Sequence, residues 1–267
     1  MSDFTDRREG GRAIVVASPK GGVGKSTVAA NLALLLAQAH PQGVVLVDLD
    51  AQFGDVASLL DIKPDRTVVD AVAALGDPVV LKTCLAKHPS GLVVLPAPAS
   101  PTAGEFITID QSKGLVEDLK SLFPIVVIDT GSGLNDPGVG ALEASDDAVF
   151  VTSMDVSSLR GLRREIDVLD ALSVAPKRHL IVNFADKSSG IEVADIENVL
   201  GLRPSAVLPR DNSVVLANNR GTALALERKR GEVVKRLAAF AEELAPAPKV
   251  KRGLPFRRRK DRKEMKS

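Results

Sequence analysis

"AIVVASPKGGVGKSTVAANLALLLAQA" (residues 13–39) decides the fold. It opens with a short apolar, β-rich run, 13–18. It then passes through three glycines, Gly21, Gly22 and Gly24. It closes in an Ala- and Leu-rich stretch without Gly or Pro, 26–39, which reads as a buried helix. Pro41 and Gly43 punctuate the end. "VVLVDLD" (44–50) follows as a second buried strand. Strand, glycine loop, helix and strand in that order make a βαβ unit with a parallel sheet.

The alternation continues along the chain. Residues 91–98, 124–130, 147–153, 178–184 and 205–209 read as further strands, with helical segments between them. In 155–172, Leu159, Leu162, Ile166 and Leu169 share one helix face. In 231–244, Val233, Leu237, Phe240 and Leu244 do the same. The expected fold is a single α/β domain: a doubly wound, mostly parallel sheet flanked by helices. It spans 12–245, between a disordered N-terminus (1–11) and a basic, disordered tail (246–267).

Bulk properties narrow the classes. Apolar residues make up 45% of the 267-residue chain, enough for a sizeable core. Cys84 is the single cysteine and cannot form an intramolecular disulfide, which fits a reducing cytosol. No apolar run reaches the roughly 18 residues needed to span a bilayer. A cytoplasmic protein is expected, with at most reversible attachment at the inner face of the cell membrane. The charge is uneven. Residues 249–267 carry ten Lys or Arg against two Asp or Glu, while the net charge of the whole chain is +1. An acidic body therefore ends in a basic tail, suited to a membrane surface or DNA. A solubilising role explains the same composition.

The glycine loop suits a polyphosphate. Gly21, Val23 and their neighbours Gly22 and Gly24 let successive N–H groups converge on one anion. The following helix turns its positive end to the same point. Lys25 would reach the β- and γ-phosphates of ATP, Ser26 would ligate Mg²⁺, and Thr27 would donate to the α-phosphate. Asp129 ends the strand 124–130 and would hold the Mg²⁺ through a water. Asp48 and Asp50 close the second strand and share its face.

Lys20 has no obvious partner within one chain, since it would repel Lys25. Here the segment "KGGVGKST" resembles the deviant Walker A box of the MinD/ParA family of P-loop ATPases. The resemblance implies a homodimer that sandwiches two nucleotides, with Lys20 crossing to the partner's ATP. It further implies that Asp50 activates the attacking water and that "AQFGD" (51–55) is a switch loop. "DTGSGLND" (129–136) fits a second switch loop, in which Gly131 offers its N–H to the γ-phosphate. "NFAD" (183–186) resembles an element that places Asn183 near the adenine. "LPRDNSVVLANNRGTAL" (208–224) resembles a segment whose Pro209 and Arg210 line the base pocket. Within the family, "DLDAQFGDVASLLDI" is most similar to the CpaE/TadZ pilus-assembly branch.

The implied activity is ATP hydrolysis, slow without a stimulating protein partner, that resets a dimerisation switch. The implied output is placement of a pilus, secretion or division apparatus at a membrane or pole. Two other readings compete: a DNA-segregation ATPase of the ParA type, and a nucleotide-gated scaffold with little hydrolysis. One cysteine is too few for a bridged iron–sulfur branch, and the absence of tyrosine excludes a kinase with a tyrosine-rich tail.

Overall fold

The computed structural model describes residues 10–98, 107–227 and 231–247. Residues 1–9 and the tail from 248 onward, including its basic run, lie outside the described residues. Eight strands form one sheet. They are β1 (Arg12–Ala17), β2 (Val44–Leu49), β3 (Ala86–Lys87), β4 (Val93–Leu95), β5 (Ile125–Thr130), β6 (Asp147–Ser153), β7 (Lys177–Ala185) and β8 (Pro204–Pro209). Their spatial order is β3-β4-β2-β5-β1-β6-β7-β8. Every pairing is parallel except the short β3–β4 edge.

The helices cover both faces. Side chains of β1 alternate between them: Ile14 and Val16 join one core, Ala13, Val15 and Ala17 the other. The first core lies beneath α1 (Lys25–Ala39) and α10 (Glu232–Leu244). The second lies beneath α5 (Ile109–Leu122), α6 (Asp136–Ala144), α7 (Val156–Ala171) and α8 (Val193–Leu200). The central strands β2 and β5 are buried along their whole length, as strands covered on both faces must be. Helix α1 is apolar almost all round because it lies between the sheet, α10 and the segment around Leu224. The expected inward stripes of α7 and α10 are buried.

The sequence reading departs from the structure between β2 and β5. The expected strand 91–98 shortens to Val93–Leu95. Pro96 and Pro98 cannot donate to a ladder, and the carbonyl of Pro96 instead accepts from the N–H of Val68 at 2.8 Å. Three short helices, α2 (Val56–Leu59), α3 (Val68–Val72) and α4 (Pro78–Thr83), fill the space before β3. Thr67 and Asp70 form a capping box on α3, and Asp77 caps α4 ahead of Pro78.

At the amino ends of the strands, Arg12 binds Asp147 at 2.8 Å and donates to the carbonyl of Leu244. His179 approaches the same carboxylate at 2.9 Å and packs edge-on against Phe240. Burial alone would raise the Asp147 carboxyl, but hydrogen bonds from His179 and Arg12 hold it at about 2. This cluster ties the end of α10 to three strands. The carboxyl ends of β1, β2, β5 and β6 open on the opposite edge, where the glycine loop sits.

Candidate nucleotide site

The loop between β1 and α1 has its shape imposed by two glycines. Gly22 and Gly24 adopt φ of +76° and +91°, in the left-handed region. At Gly24 space also forbids a side chain, since a Cβ would lie 2.4 Å from the Asn183 amide nitrogen. Helix α1 starts at Lys25 with no side-chain cap and no acidic residue in its first turn. Its leading N–H groups and its positive end are thus left for an external anion.

Lys25 is buried, with its ammonium donating to Ser132 Oγ at 3.1 Å. Thr27 Oγ1 accepts from the Asn218 amide at 2.9 Å, so its own hydroxyl proton remains free to donate. Lys20 behaves differently. Half exposed, it lies back against the start of α7 in the single chain, donating to Asp155 Oδ1 at 3.2 Å and Ser157 Oγ at 2.8 Å. Burial works to raise the Asp155 carboxyl. Hydrogen bonds from Ser153, Ser158 and Ser157 outweigh it and hold the group well below the usual carboxylate range.

Asp129, the penultimate residue of β5, is fully buried, and neither carboxylate oxygen has a hydrogen-bond partner among the described residues. Burial pushes it up to about 7. The nearby Ser26 hydroxyl and Lys25 pull it down, while Asp50 and Asp55 push it up. An orphaned buried carboxylate beside a serine hydroxyl fits a Mg²⁺ ion, which takes one or two protein oxygens and keeps waters and phosphate oxygens for the rest. Among the described residues no cluster of three or more His, Cys, Asp or Glu could hold a metal on its own.

Asp48 and Asp50 have separate fates. Strand β2 stops at Leu49, so Asp50 lies in the loop beyond it rather than on the strand face. Its Oδ1 accepts from the N–H of Phe53 at 3.1 Å and lies 3.6 Å from where a Cβ on Gly131 would sit. Asp48 is fully buried and accepts from the N–H groups of Asp50 and Val56, each at 3.1 Å. It therefore pins both ends of the 51–55 loop. Burial, then the neighbouring Asp129, raises the Asp48 carboxyl well above its usual range.

The loop after β5 is tied to the glycine loop. Gly133 N–H donates to the carbonyl of Ser18 at 2.9 Å, and Thr130 Oγ1 donates to that of Val16 at 2.9 Å. Gly131 is buried with no room for a side chain, its Cβ position lying 2.5 Å from the Asn135 amide.

Asn183 is brought to the glycine loop, where its amide donates to the carbonyl of Val23 at 2.9 Å. One of its donors is thus engaged in holding the loop. Pro209 ends β8, and the N–H of Arg210 donates to Ala185 at 3.3 Å. The Arg210 guanidinium stands 5.3 Å from the centre of the Phe184 ring, and Phe184 itself has φ +53°. Ala185, Asp186, Arg210, Asp211 and Asn212 line an open depression of about 740 Å³.

Sequence reasoning missed four contributors. Ser132 and Asn218 contact loop residues more than a hundred positions away, which no local pattern shows. Asp155 receives Lys20 from α7. Glu165 did leave a signal, interrupting the inward face of α7 between Leu162 and Leu169. It is buried, both oxygens lack a partner, and burial raises it to about 7 against a smaller opposing pull from Lys25.

Comparison with known proteins identifies the family. The profile of the CobQ/CobB/MinD/ParA nucleotide binding domain matches residues 14–224. A septum site-determining protein MinD of Synechocystis sp. is 34% identical over 225 residues, covering 82% of this chain and 83% of its own. That of Bacillus subtilis is 27% identical over 226 residues, covering 82% and 84%. The crystal structure of a ParA family ATPase from Chlorobium tepidum superposes with a TM-score of 0.79 at 26% identity, covering 86% of this chain and 98% of its own. The cell division ATPase MinD of Pyrococcus furiosus gives 0.76 at 24%, covering 88% and 98%. These relatives do not bear out the narrower likeness to the CpaE/TadZ branch. The uncapped α1, the glycine loop and the family match together place the chain in the CobQ/CobB/MinD/ParA nucleotide-binding family.

Proposed function

We propose that the protein is a Mg²⁺-dependent ATPase that dimerises when ATP is bound and separates after hydrolysis. Its output is the placement of a division, pilus or secretion apparatus at the inner face of a membrane or at a pole. One observation carries the reading: a buried lysine, an orphaned buried carboxylate and an uncapped helix start meet at the glycine loop, with a loop aspartate beside Gly131. Each lacks the partner that a magnesium triphosphate would provide.

In the proposed reaction, water attacks the γ-phosphorus in line, the bond to the β-phosphate oxygen breaks, and ADP and phosphate leave. Mg²⁺, held by Ser26 and through water by Asp129, would neutralise developing charge. Asp50 orients the water and takes up its proton. Lys25 and the Gly131 N–H bind the γ-phosphate, and Thr27 the α-phosphate. Asn183, Pro209 and Arg210 border the base. Lys20 leaves Asp155 and reaches the nucleotide of the partner subunit. Its bond to Asp155 is solvent-exposed and worth about 0–1 kcal/mol, a small obstacle to that exchange.

Lys20→Ala tests the switch. Light scattering with ATP and Mg²⁺ should show dimers of the native protein and monomers of the variant, with nucleotide affinity nearly unchanged. A variant that still dimerises with ATP refutes the role across the interface. The ParA-like alternative, in which the basic tail grips DNA, predicts ATP-dependent and salt-sensitive binding to random duplex DNA rather than to anionic vesicles.

A further inference from the structure

The proposed function accounts for Lys25 but leaves its contact unexplained. In the single chain the Lys25 ammonium donates to Ser132 Oγ at 3.1 Å. The same oxygen lies 3.5 Å from where a Cβ on Gly21 would sit. The Ser132 hydroxyl therefore lies beside both the Lys25 ammonium and the glycine loop. It is itself exposed.

This is no loose contact. The loop is anchored two residues before Ser132, by Thr130 to Val16, and immediately after it, by Gly133 to Ser18, each at 2.9 Å. Just beyond, Asn135 caps α6 by accepting from the N–H of Gly138 at 2.9 Å. The backbone is thus held, and the main freedom left to Ser132 is rotation about χ1 between staggered wells. A hydroxyl both accepts and donates. While Ser132 Oγ accepts from Lys25, its own proton has no acceptor among the described residues and can turn to an incoming oxygen. The loop also fixes which phosphate that is. Ser132 follows Gly131, whose Cβ position lies 3.6 Å from Asp50 Oδ1. Asp50 marks the end of the site where water attacks in the proposed reaction, so Ser132 borders the terminal phosphate.

We propose that Ser132 is a γ-phosphate-binding residue that distinguishes the triphosphate from the diphosphate. Its oxygen holds Lys25 in the nucleotide-free chain, and its proton goes to a γ-phosphate oxygen when ATP is bound. ADP has no group at that position. The inference rests on the ATPase reading above and adds to it a residue on the second switch loop.

The test is calorimetric, on the full chain with Mg²⁺. Dissociation constants are measured for ADP and for the non-hydrolysable triphosphate AMPPNP, in native protein, Ser132→Ala and Ser132→Thr. A hydrogen bond to a charged phosphate is strong enough that its loss should weaken AMPPNP about tenfold. ADP affinity should stay within about twofold, and Ser132→Thr, which keeps the hydroxyl, should restore AMPPNP binding. Equal weakening of both nucleotides would mean that Ser132 only supports Lys25, and would overturn the inference. Equal tightening of both would show a hydroxyl that merely competes with phosphate, and no change would show that it does nothing; either result overturns it too. Native protein that binds neither nucleotide would sink the ATPase reading itself.

Discussion

Replacing Glu165 with glutamine should stabilise the protein, and by an amount that depends on pH. The carboxyl is buried on α7 with neither oxygen hydrogen-bonded. It titrates at about 7 in the fold, against 4.5 without burial. At about 1.4 kcal/mol per pH unit, keeping it ionised costs the folded state about 3 kcal/mol at pH 8. Below pH 4.5 the group is protonated in both folded and unfolded chains, and the cost vanishes. Between pH 4.5 and about 7 the unfolded chain releases its proton while the folded chain retains it, so stability falls as pH rises. Above about 7 the loss levels off. Glutamine keeps the shape and removes the charge. Its unpartnered amide adds a penalty, but one that does not vary with pH. The diagnostic quantity is therefore how the stability gap between Glu165→Gln and native protein changes with pH. Urea unfolding at pH 5, 6, 7 and 8, without nucleotide, measures it. The gap should widen by about 2 kcal/mol in favour of the variant from pH 5 to pH 8. Asp129 also titrates in this range, but it is present in both proteins and cancels in the difference. A gap that stays flat across the series would refute the reasoning.

Two further outcomes follow from the loop at 51–55. Asp50→Ala should slow phosphate release by about a hundredfold or more, the scale of a lost general base, while the ATP-loaded dimer accumulates; unchanged turnover removes Asp50 from the chemistry. Asp48→Ala should free the N–H groups of Asp50 and Val56, read as faster hydrogen exchange at both, and should cut turnover while AMPPNP affinity falls no more than about threefold. Unchanged exchange at these amides would show that Asp48 does not hold the loop.

The parts of the site legible in the sequence are those made by backbone. Gly22 and Gly24 can be placed because their φ values of +76° and +91° suit almost no other residue. The strands β1, β2 and β5 around them are largely apolar because helices cover both faces. Asp129 was legible from its place at a strand end. What was not legible depends on partners distant in the chain. Asp48 and Asp50 look equivalent in "VVLVDLD". Only the return of the chain at Val56 makes one a buried anchor and frees the other for the loop. The helices of four to six residues between β2 and β3 are too short to show a period, and only α3 and α4 carry caps that mark them. Glu165 could have been suspected, because a carboxylate between Leu162 and Leu169 breaks the face of an otherwise buried stripe.

The electrostatics of the site bear on how its ligands must arrive. The pocket holds one buried ammonium, Lys25, whose partner is a neutral hydroxyl. It also holds buried carboxyls at Asp48 and Asp129, both raised by burial. A triphosphate alone would suit Lys25 but would add negative charge beside Asp129, which already lacks a donor. A magnesium ion alone would suit Asp129 but would find only one carboxylate and one hydroxyl, too few to strip its water. Together they answer both deficits, since the cation lies between the phosphates and the carboxylate. On the proposed reading each ligand would raise the affinity for the other by the same factor, because coupling between two binding events is reciprocal. On the same reading Asp129, which would hold the cation through a water, would make the site a poorer receptor for free nucleotide than for its magnesium complex.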